Sequence, residues 1–426
     1  MDKDKDTRDT MARTGQAGTY EHSEHPFPTL QALTSAHIEA AARAAGEPAW
    51  LVERRKDAWN FFSHALPPEW RRTNLKQLEP ETIVPYAAPQ GTGILWDEAL
   101  AERGIVFSSL AAAVRSHEAL VRDRLGTAID PLRHKFSALR AALWQDGIFL
   151  YVPENVTLDI PLRVCYILAD DSRAIFPYSL VILGRGASVT FLEEFTSHDA
   201  PAPALAAPTT EIFLGEGSSL RFASVQQWGA NVYHIGGQSQ VFDRDTSSTW
   251  VSISMGGQVQ HTEAEAHLRG DGSTVTWHGA TFARKQQHLL TAPTLRHTGA
   301  HTESHLDFRT VVHDGGYSVF DGMITIEHAS RGTVTRLEEH SIHLSPGARS
   351  DSIPGLKIDT NDVAQAGHAS TSGQVDDEQL FYLQSRGISR ADAMRMIVMG
   401  FFGPVFDALP LEEMRESLTA GVEANL

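Results

Sequence analysis

The chain of 426 residues reads as a mainly β protein: a right-handed parallel β-helix (solenoid), flanked by N-terminal and C-terminal helical domains. Three observations predict it. The middle of the chain consists of short runs rich in Val, Ile, Thr and Phe, such as "SLVILGRGASVTFLEEF" and "TEIFLGEGSSLRFASVQQW", divided by glycine turns. The turns recur, with "GRGASV" at Gly184 aligning with "GEGSSL" at Gly215, "DRDTSS" at Asp243 and "GDGSTV" at Gly270, at spacings of 31, 28 and 27 residues. On both sides the pattern changes to a helical period.

A strand–turn–strand unit at such spacing, without an intervening helix, is the signature of stacked coils. One coil cannot bury its apolar face alone, and stacking makes a continuous core. Glycine at the corner admits a positive φ, where a β-carbon would clash. A β-sandwich also has short strands and glycine turns, but the regular spacing of similar turns favours the solenoid. "LSPGARSDS" around Pro346 reads as a looser late copy of the same turn.

The elements follow in order. Residues 1–26 are polar, lack bulky core residues and are expected to be disordered. Residues 27–143 form the helical N-terminal domain. In "LTSAHIEAAARAAG" Ser35 is the expected N-cap and Gly46 the stop. Trp50, Leu51, Arg54, Ala58, Phe61 and Phe62 then fall near a helical period, up to Pro67-Pro68. "SSLAAAVRSHEALVRDRLG" and "DPLRHKFSALRAALW" add further helices. Residues 144–354 form the β-helix. Residues 355–426 return to helices: Asp376 caps "DEQLFYLQSRG", which Gly387 ends, and Ser389 caps "RADAMRMIVMGFF", which Gly403-Pro404 ends. Pro410 suits the first position of a last helix, "LEEMRESLTAG". Phe381, Tyr382, Met396, Ile397, Met399, Phe401 and Phe402 make this tail apolar enough to require a neighbour, either the β-helix or another subunit.

Composition narrows the function. A net charge of −17 repels nucleic-acid backbones and anionic membranes, so neither is expected as a partner. No apolar run is long enough to span a bilayer, and the first residues lack the apolar segment of a signal peptide. The single cysteine, Cys165, excludes an intramolecular disulfide and a cysteine-rich zinc site. A cytoplasmic protein is the expectation.

The usual catalytic devices are missing. There is no G-x-x-x-x-G-K-[ST] loop and no H-E-x-x-H, and the G-x-G turns lead into strands instead of helices. His297, His301, His305 and His313 are separated by even numbers of residues, which on one strand would make a row of imidazoles able to bind a transition metal. The turns "TGAH" and "HDGG" interrupt that row, so a polar outer face is the better reading, and likewise for His261, His267 and His278. Glu193-Glu194 and Glu338-Glu339 could serve acid/base work on a sugar, yet neighbours on a strand point to opposite faces. They read as a solvated surface. Cys165, in "PLRVCYILAD", reads as a buried structural thiol. His368, in "NDVAQAGHAST", sits among small residues at the junction with the C-terminal helices, and spacing alone makes it a packing residue.

The residues around His368 carry more. "SDSIPGLKIDTNDVAQAGHASTSGQVDDEQLFYLQSRGIS" closely resembles the C-terminal signature of the SufB/SufD family of iron–sulfur cluster assembly proteins. That signature joins D-x-x-P-x-L-x-I, N-D-V, a histidine among small residues and [LM]-F-Y-L-x-S-R-G-I. "YSVFDGMITIEHASRGT" and "EPAWLVERRKDAWNFFSHALPPEWRRTNL" resemble two further family segments. The resemblance implies a non-catalytic scaffold in which SufB-like and SufD-like subunits pair through their β-helices. Each C-terminal domain docks a SufC-like ABC ATPase, where ATP hydrolysis is expected. "PGL" and the long helical N-terminus look more SufD-like. No cofactor is expected to be held stably by the chain alone, with a transient iron–sulfur cluster in the complex. His368 is the candidate ligand, shared with a partner, since Ala366 stands where many SufD-like chains carry cysteine. Asn361, Asp362, Gly367, Ala369, Phe381, Tyr382, Arg386, Met396 and Phe401 are the expected partner contacts. In isolation an edge strand can also pair with a second copy. The rival readings are a carbohydrate-active β-helix enzyme, a lyase or epimerase, and a self-associating structural solenoid.

Overall fold

The computed structural model describes residues 27–426 apart from 71, 74, 76, 77, 79–81, 86–97, 146 and 169–172. The disorder expected of residues 1–26 concerns positions outside the described residues. The β region is a parallel solenoid of about eight turns, built from one fourteen-stranded and one eight-stranded sheet. The eight-stranded sheet runs from Leu162–Leu168 through Ser188–Ser197, Ser219–Gln227, Ser247–Ser254, Thr274–Arg284, Glu303–His313 and Thr333–His343 to Val363–Gln374. Every pairing in it is parallel.

The corners explain the repeat. Asn155, Gly186, Gly217, Asp245, Gly272, His301 and Gly332 all have φ between 56° and 70°. Each N–H donates to a carbonyl of the following coil at 2.7–2.9 Å, from Asn155 to Arg185 through to Gly332 to Asp362. The four turns legible in the sequence are therefore part of a column of seven. Of its other members, Asn155 and His301 escape a search for glycine because Asn and, less often, His tolerate this conformation. The segment around Pro346 does not belong to this column. It forms the opposite corner, where Gly347 (φ +85°) leads from the eight-stranded sheet back to the larger one.

Like residues stack inside. Register puts Leu162, Phe191, Phe222, Trp250, Trp277, Leu306 and Leu337 in one inward-facing column. The Trp250 and Trp277 rings lie parallel, 3.8 Å apart. A solenoid's ends need caps, and the first coil has one: Val106–Ser109 pairs antiparallel with Gly147–Val152, and the N-terminal helices cover the outside of the large sheet. The carboxylate of Glu211 fastens this domain. It accepts the backbone N–H groups of Gly126, Ala128 and Ile129 at 2.7–2.8 Å and the Tyr178 hydroxyl at 2.6 Å.

Helix boundaries shift in detail. The first helix, Ser35–Ala44, is capped not by Ser35 but by Thr34, whose N–H donates to His37 Nδ1 at 3.1 Å. In Ala49–His64 the buried stripe is Leu51, Val52, Arg55, Ala58 and Trp59. Arg55 can be buried because it pairs with Glu47 at 2.7 Å and lies over the Trp144 ring.

The solenoid does not stop at residue 354. Strands Gly355–Ile358 and Val363–Gln374 complete a further coil, and the helices begin only at Asp377. The parallel ladder to Thr333–His343 supplies backbone hydrogen bonds that the polar, small-residue sequence did not advertise. Asp376 and Ser389 cap the next two helices as expected. The helix Arg390–Asp407 passes through Gly403-Pro404 instead of ending there. Phe402, Val405 and Phe406 continue one buried stripe across the proline, packing on Val225, Val251, Ile253 and Phe282 of the eight-stranded sheet. Each such aromatic burial contributes roughly 2–3 kcal/mol, enough to offset much of a proline's cost. The last helix, Glu412–Glu423, has Leu411 at its N-cap, so Pro410 lies just outside. The solenoid is thus the neighbour the apolar tail required.

Candidate functional site

His368 lies within a strand, not in a junction loop. Val363–Gln374 is the final strand of the eight-stranded sheet and pairs on one side only, with Thr333–His343. Leu337 is the register partner of His368. The imidazole therefore occupies the last position of the inward aromatic column, at the open end of the stack. It is exposed there. Ala366, on the same face, packs against the solenoid core.

The small residues do not mark tight packing within the chain. A β-carbon at Gly367 or Gly373 would meet nothing within 4 Å. Gly367, Ala369, Thr371 and Gly373 instead share the outer face of the strand, by its two-residue alternation. They leave a smooth strip beside an open row of backbone donors and acceptors. Unpaired sheet edges of this length are pairing sites.

Behind the strand lies a buried acid. Glu339 is 1% exposed and its Oε2 accepts the Ser370 hydroxyl at 3.0 Å, while burial pushes its carboxyl above the usual range. On the outer side a cleft of about 490 Å³ is lined by Arg309, His340, Thr371, Gly373 and Phe401. Arg309 is fully engaged around it, pairing with Asp307 at 3.2 Å, donating to the Phe401 carbonyl at 2.9 Å and lying over the Phe401 ring. Phe401 is thereby half-buried. Neither Glu339 nor this cleft was anticipated from sequence, although the alternation of "RLEEHSIH" carries the signal.

The other expected contacts lie apart from His368. Asn361 and Asp362 stand at the corner before the strand, where the Asp362 carbonyl accepts from Gly332 at 2.8 Å. Phe381, Tyr382 and Met396 are exposed on the C-terminal helices at 73%, 58% and 54%, an unusual cluster for large apolar side chains. Arg386 lies over the Tyr382 ring and donates to its hydroxyl at 3.3 Å.

Several expectations are overturned by burial. Glu193 and Glu339 point into the solenoid and are not solvated. Their neighbours point outward, Glu194 pairing with Arg163 and Glu338 with Arg336. Glu193 accepts the Thr210 hydroxyl at 2.9 Å on Oε2, the Ser179 hydroxyl also supports its charge, and burial nonetheless lifts its pKa to about 7. The histidine row is broken at the corner residue His301. His297, however, is inside, bonded to Thr302 at 2.7 Å and Ser304 at 2.9 Å. His261 is buried beneath Trp70, and His267 and His278 are half-buried. Cys165 is likewise only half-buried, beside Glu194. Burial and that carboxylate raise its pKa, which keeps it a thiol and a poor nucleophile. Among the described residues, no three His, Cys, Asp or Glu side chains are grouped to hold a metal. No helix among them is long and apolar enough to cross a membrane.

Comparison with known proteins agrees with this geometry. The family profile described as "SUF system FeS cluster assembly, SufBD core domain" matches residues 166–401, and that of the "SufBD protein N-terminal region" matches residues 96–164. The chain is 31% identical over 328 residues to the iron–sulfur cluster assembly protein SufD of Bacillus subtilis, covering 76% of this chain and 74% of that one. It is 26% identical over 441 residues to SufB of the same organism and to a SufBD family protein of Staphylococcus saprophyticus, covering 93% of this chain and 94% of each. The core match alone spans more than half of the chain, so the protein belongs to the SufB/SufD family of iron–sulfur cluster assembly proteins.

Proposed function

We propose that the chain is a SufD-like, non-catalytic scaffold subunit of a SUF complex. It pairs through Val363–Gln374 with a SufB-like paralogue and docks a SufC-like ABC ATPase on its C-terminal helices. The observation that carries this reading is the uncapped terminal coil, which offers an open strand edge with one exposed imidazole at its centre. The exposed Phe381, Tyr382 and Met396 support the second contact. The nascent cluster is cargo. This chain supplies no thiolate at the coil, since its lone cysteine stands in the first strand of the same sheet. Its part is therefore half a site, with His368 facing sulfur ligands of the partner. Mixed imidazole and thiolate ligation is ordinary for such clusters and raises their potential. The carbohydrate-enzyme reading loses support because each adjacent carboxylate pair places one member inside the solenoid.

Co-expression with a cysteine-bearing paralogue and an ABC ATPase tests the pairing. Co-purification of all three is expected, and isolation of the chain alone from such a mixture would overturn the reading. His368→Ala should lower cluster build-up on the assembled complex while leaving the complex intact. Cluster yield equal to wild type would remove His368 from the site.

A further inference from the structure

The terminal coil is uncapped at its edge, yet it is held from outside by residues distant in sequence. Trp70 stacks on His261 with ring centres 3.7 Å apart and a 16° tilt, and it stacks on Phe136 at 5.4 Å. The Thr73 hydroxyl and His261 Nδ1 are 2.7 Å apart. The backbone of Arg72 is hydrogen-bonded to His288. Its guanidinium forms an ion pair with Asp351, which also accepts from Arg349 at 2.8 Å and from the Tyr317 hydroxyl at 2.7 Å.

These anchors form a line. His261 is in register with Leu290, that with Val319, and that with Asp351, while His288, Tyr317 and Arg349 form the adjoining column. Trp70, Arg72 and Thr73 thus touch successive rungs of the large sheet along the solenoid axis, ending on the last one, Arg349–Ser352. The same coil continues into the His368 strand: the Ser350 hydroxyl lies 3.4 Å from that of Ser372 and 2.9 Å from that of Ser341.

We infer that Trp70, Arg72 and Thr73 are a clamp which holds the terminal coil in its folded register, and that Arg72 is a positioning residue for the His368 strand. The physical reason is the one-dimensional character of a solenoid. Each coil contacts only its neighbours, so the last coil has one interface where the others have two and opens first. Its strands in the large sheet are four residues each, Arg349–Ser352 and Gly355–Ile358. A contact that ties this rung to rungs further in replaces the missing neighbour on the outer side, while the edge of the eight-stranded sheet stays free. Arg72 acts through Asp351, whose carboxylate gathers two arginines and a tyrosine at the rung's centre.

Hydrogen exchange on the full chain, resolved by peptide, tests this without any partner. In Arg72→Ala, residues 349–374 should exchange about tenfold faster or more, with the coils between residues 178 and 268 unchanged. Arg72→Lys, which keeps the charge, should recover part of the protection. Trp70→Ala should speed exchange in the same residues and also in the strand Val259–Leu268 that carries His261. Unchanged exchange in residues 349–374, or equal acceleration throughout the solenoid, would overturn the clamp. The link to function rests on the scaffold reading above. It predicts that Arg72→Ala weakens pairing with the SufB-like paralogue, and unaltered pairing despite faster local exchange would overturn that link alone.

Discussion

Glu193 sets up a measurable conflict between burial and charge. Its carboxyl is fully buried between the two sheets, where only the hydroxyls of Thr210 and Ser179 offset the loss of water. Loss of hydration pushes its pKa from the usual 4.5 up to about 7. The sign follows from linkage. A folded pKa above the unfolded one means the folded state binds the proton more tightly, so the benefit is complete below about pH 4.5 and is lost as pH rises through about 7. Moving the carboxyl from 4.5 to about 7 corresponds to roughly 3 kcal/mol. Glu193→Gln keeps the shape of the protonated acid and removes the titration. Urea unfolding at pH 5 should therefore find the two proteins within about 1 kcal/mol of each other, and at pH 9 the glutamine variant should be more stable by roughly 3 kcal/mol. A difference that stays constant from pH 5 to pH 9, or one that moves in favour of the wild type as pH rises, would refute the reasoning. It would mean that water or a relaxed side chain satisfies the charge inside the coil.

Two further substitutions probe the architecture. Glu211→Ala leaves the backbone N–H groups of Ala128 and Ile129 and the Tyr178 hydroxyl without their acceptor, and leaves Gly126 only the Tyr178 hydroxyl. It should cost about 1–3 kcal/mol for each donor left buried and unpaired, and limited proteolysis should show cleavage near residues 126–129 before the solenoid is cut. Gly217 has φ +68° with open space around its Cα, so Gly217→Val tests conformation alone. A loss of about 1–2 kcal/mol is expected, with a smaller loss for Gly217→Asn because Asn155 already fills the equivalent corner.

The sequence by itself determined the solenoid, because its corners obey a local rule. A left-handed residue is needed once per coil, and glycine supplies it visibly at Gly186, Gly217 and Gly272. The long signature around His368 was likewise legible as the mark of the SufB/SufD family. Local sequence could not tell how far the solenoid runs. "NDVAQAGHAST" has weak strand propensity and becomes a strand only because Thr333–His343 offers it a ladder. Nor could it tell the inside of the coil from the outside. Alternation shows that Glu193 and Glu194 face opposite ways, but only the closed cross-section decides which of them loses water. The same closure turns His368 from a residue at a junction into the last member of an interior column. The ion pair of Arg72 with Asp351 joins residues about 280 positions apart, a distance over which only the tertiary fold brings charges together.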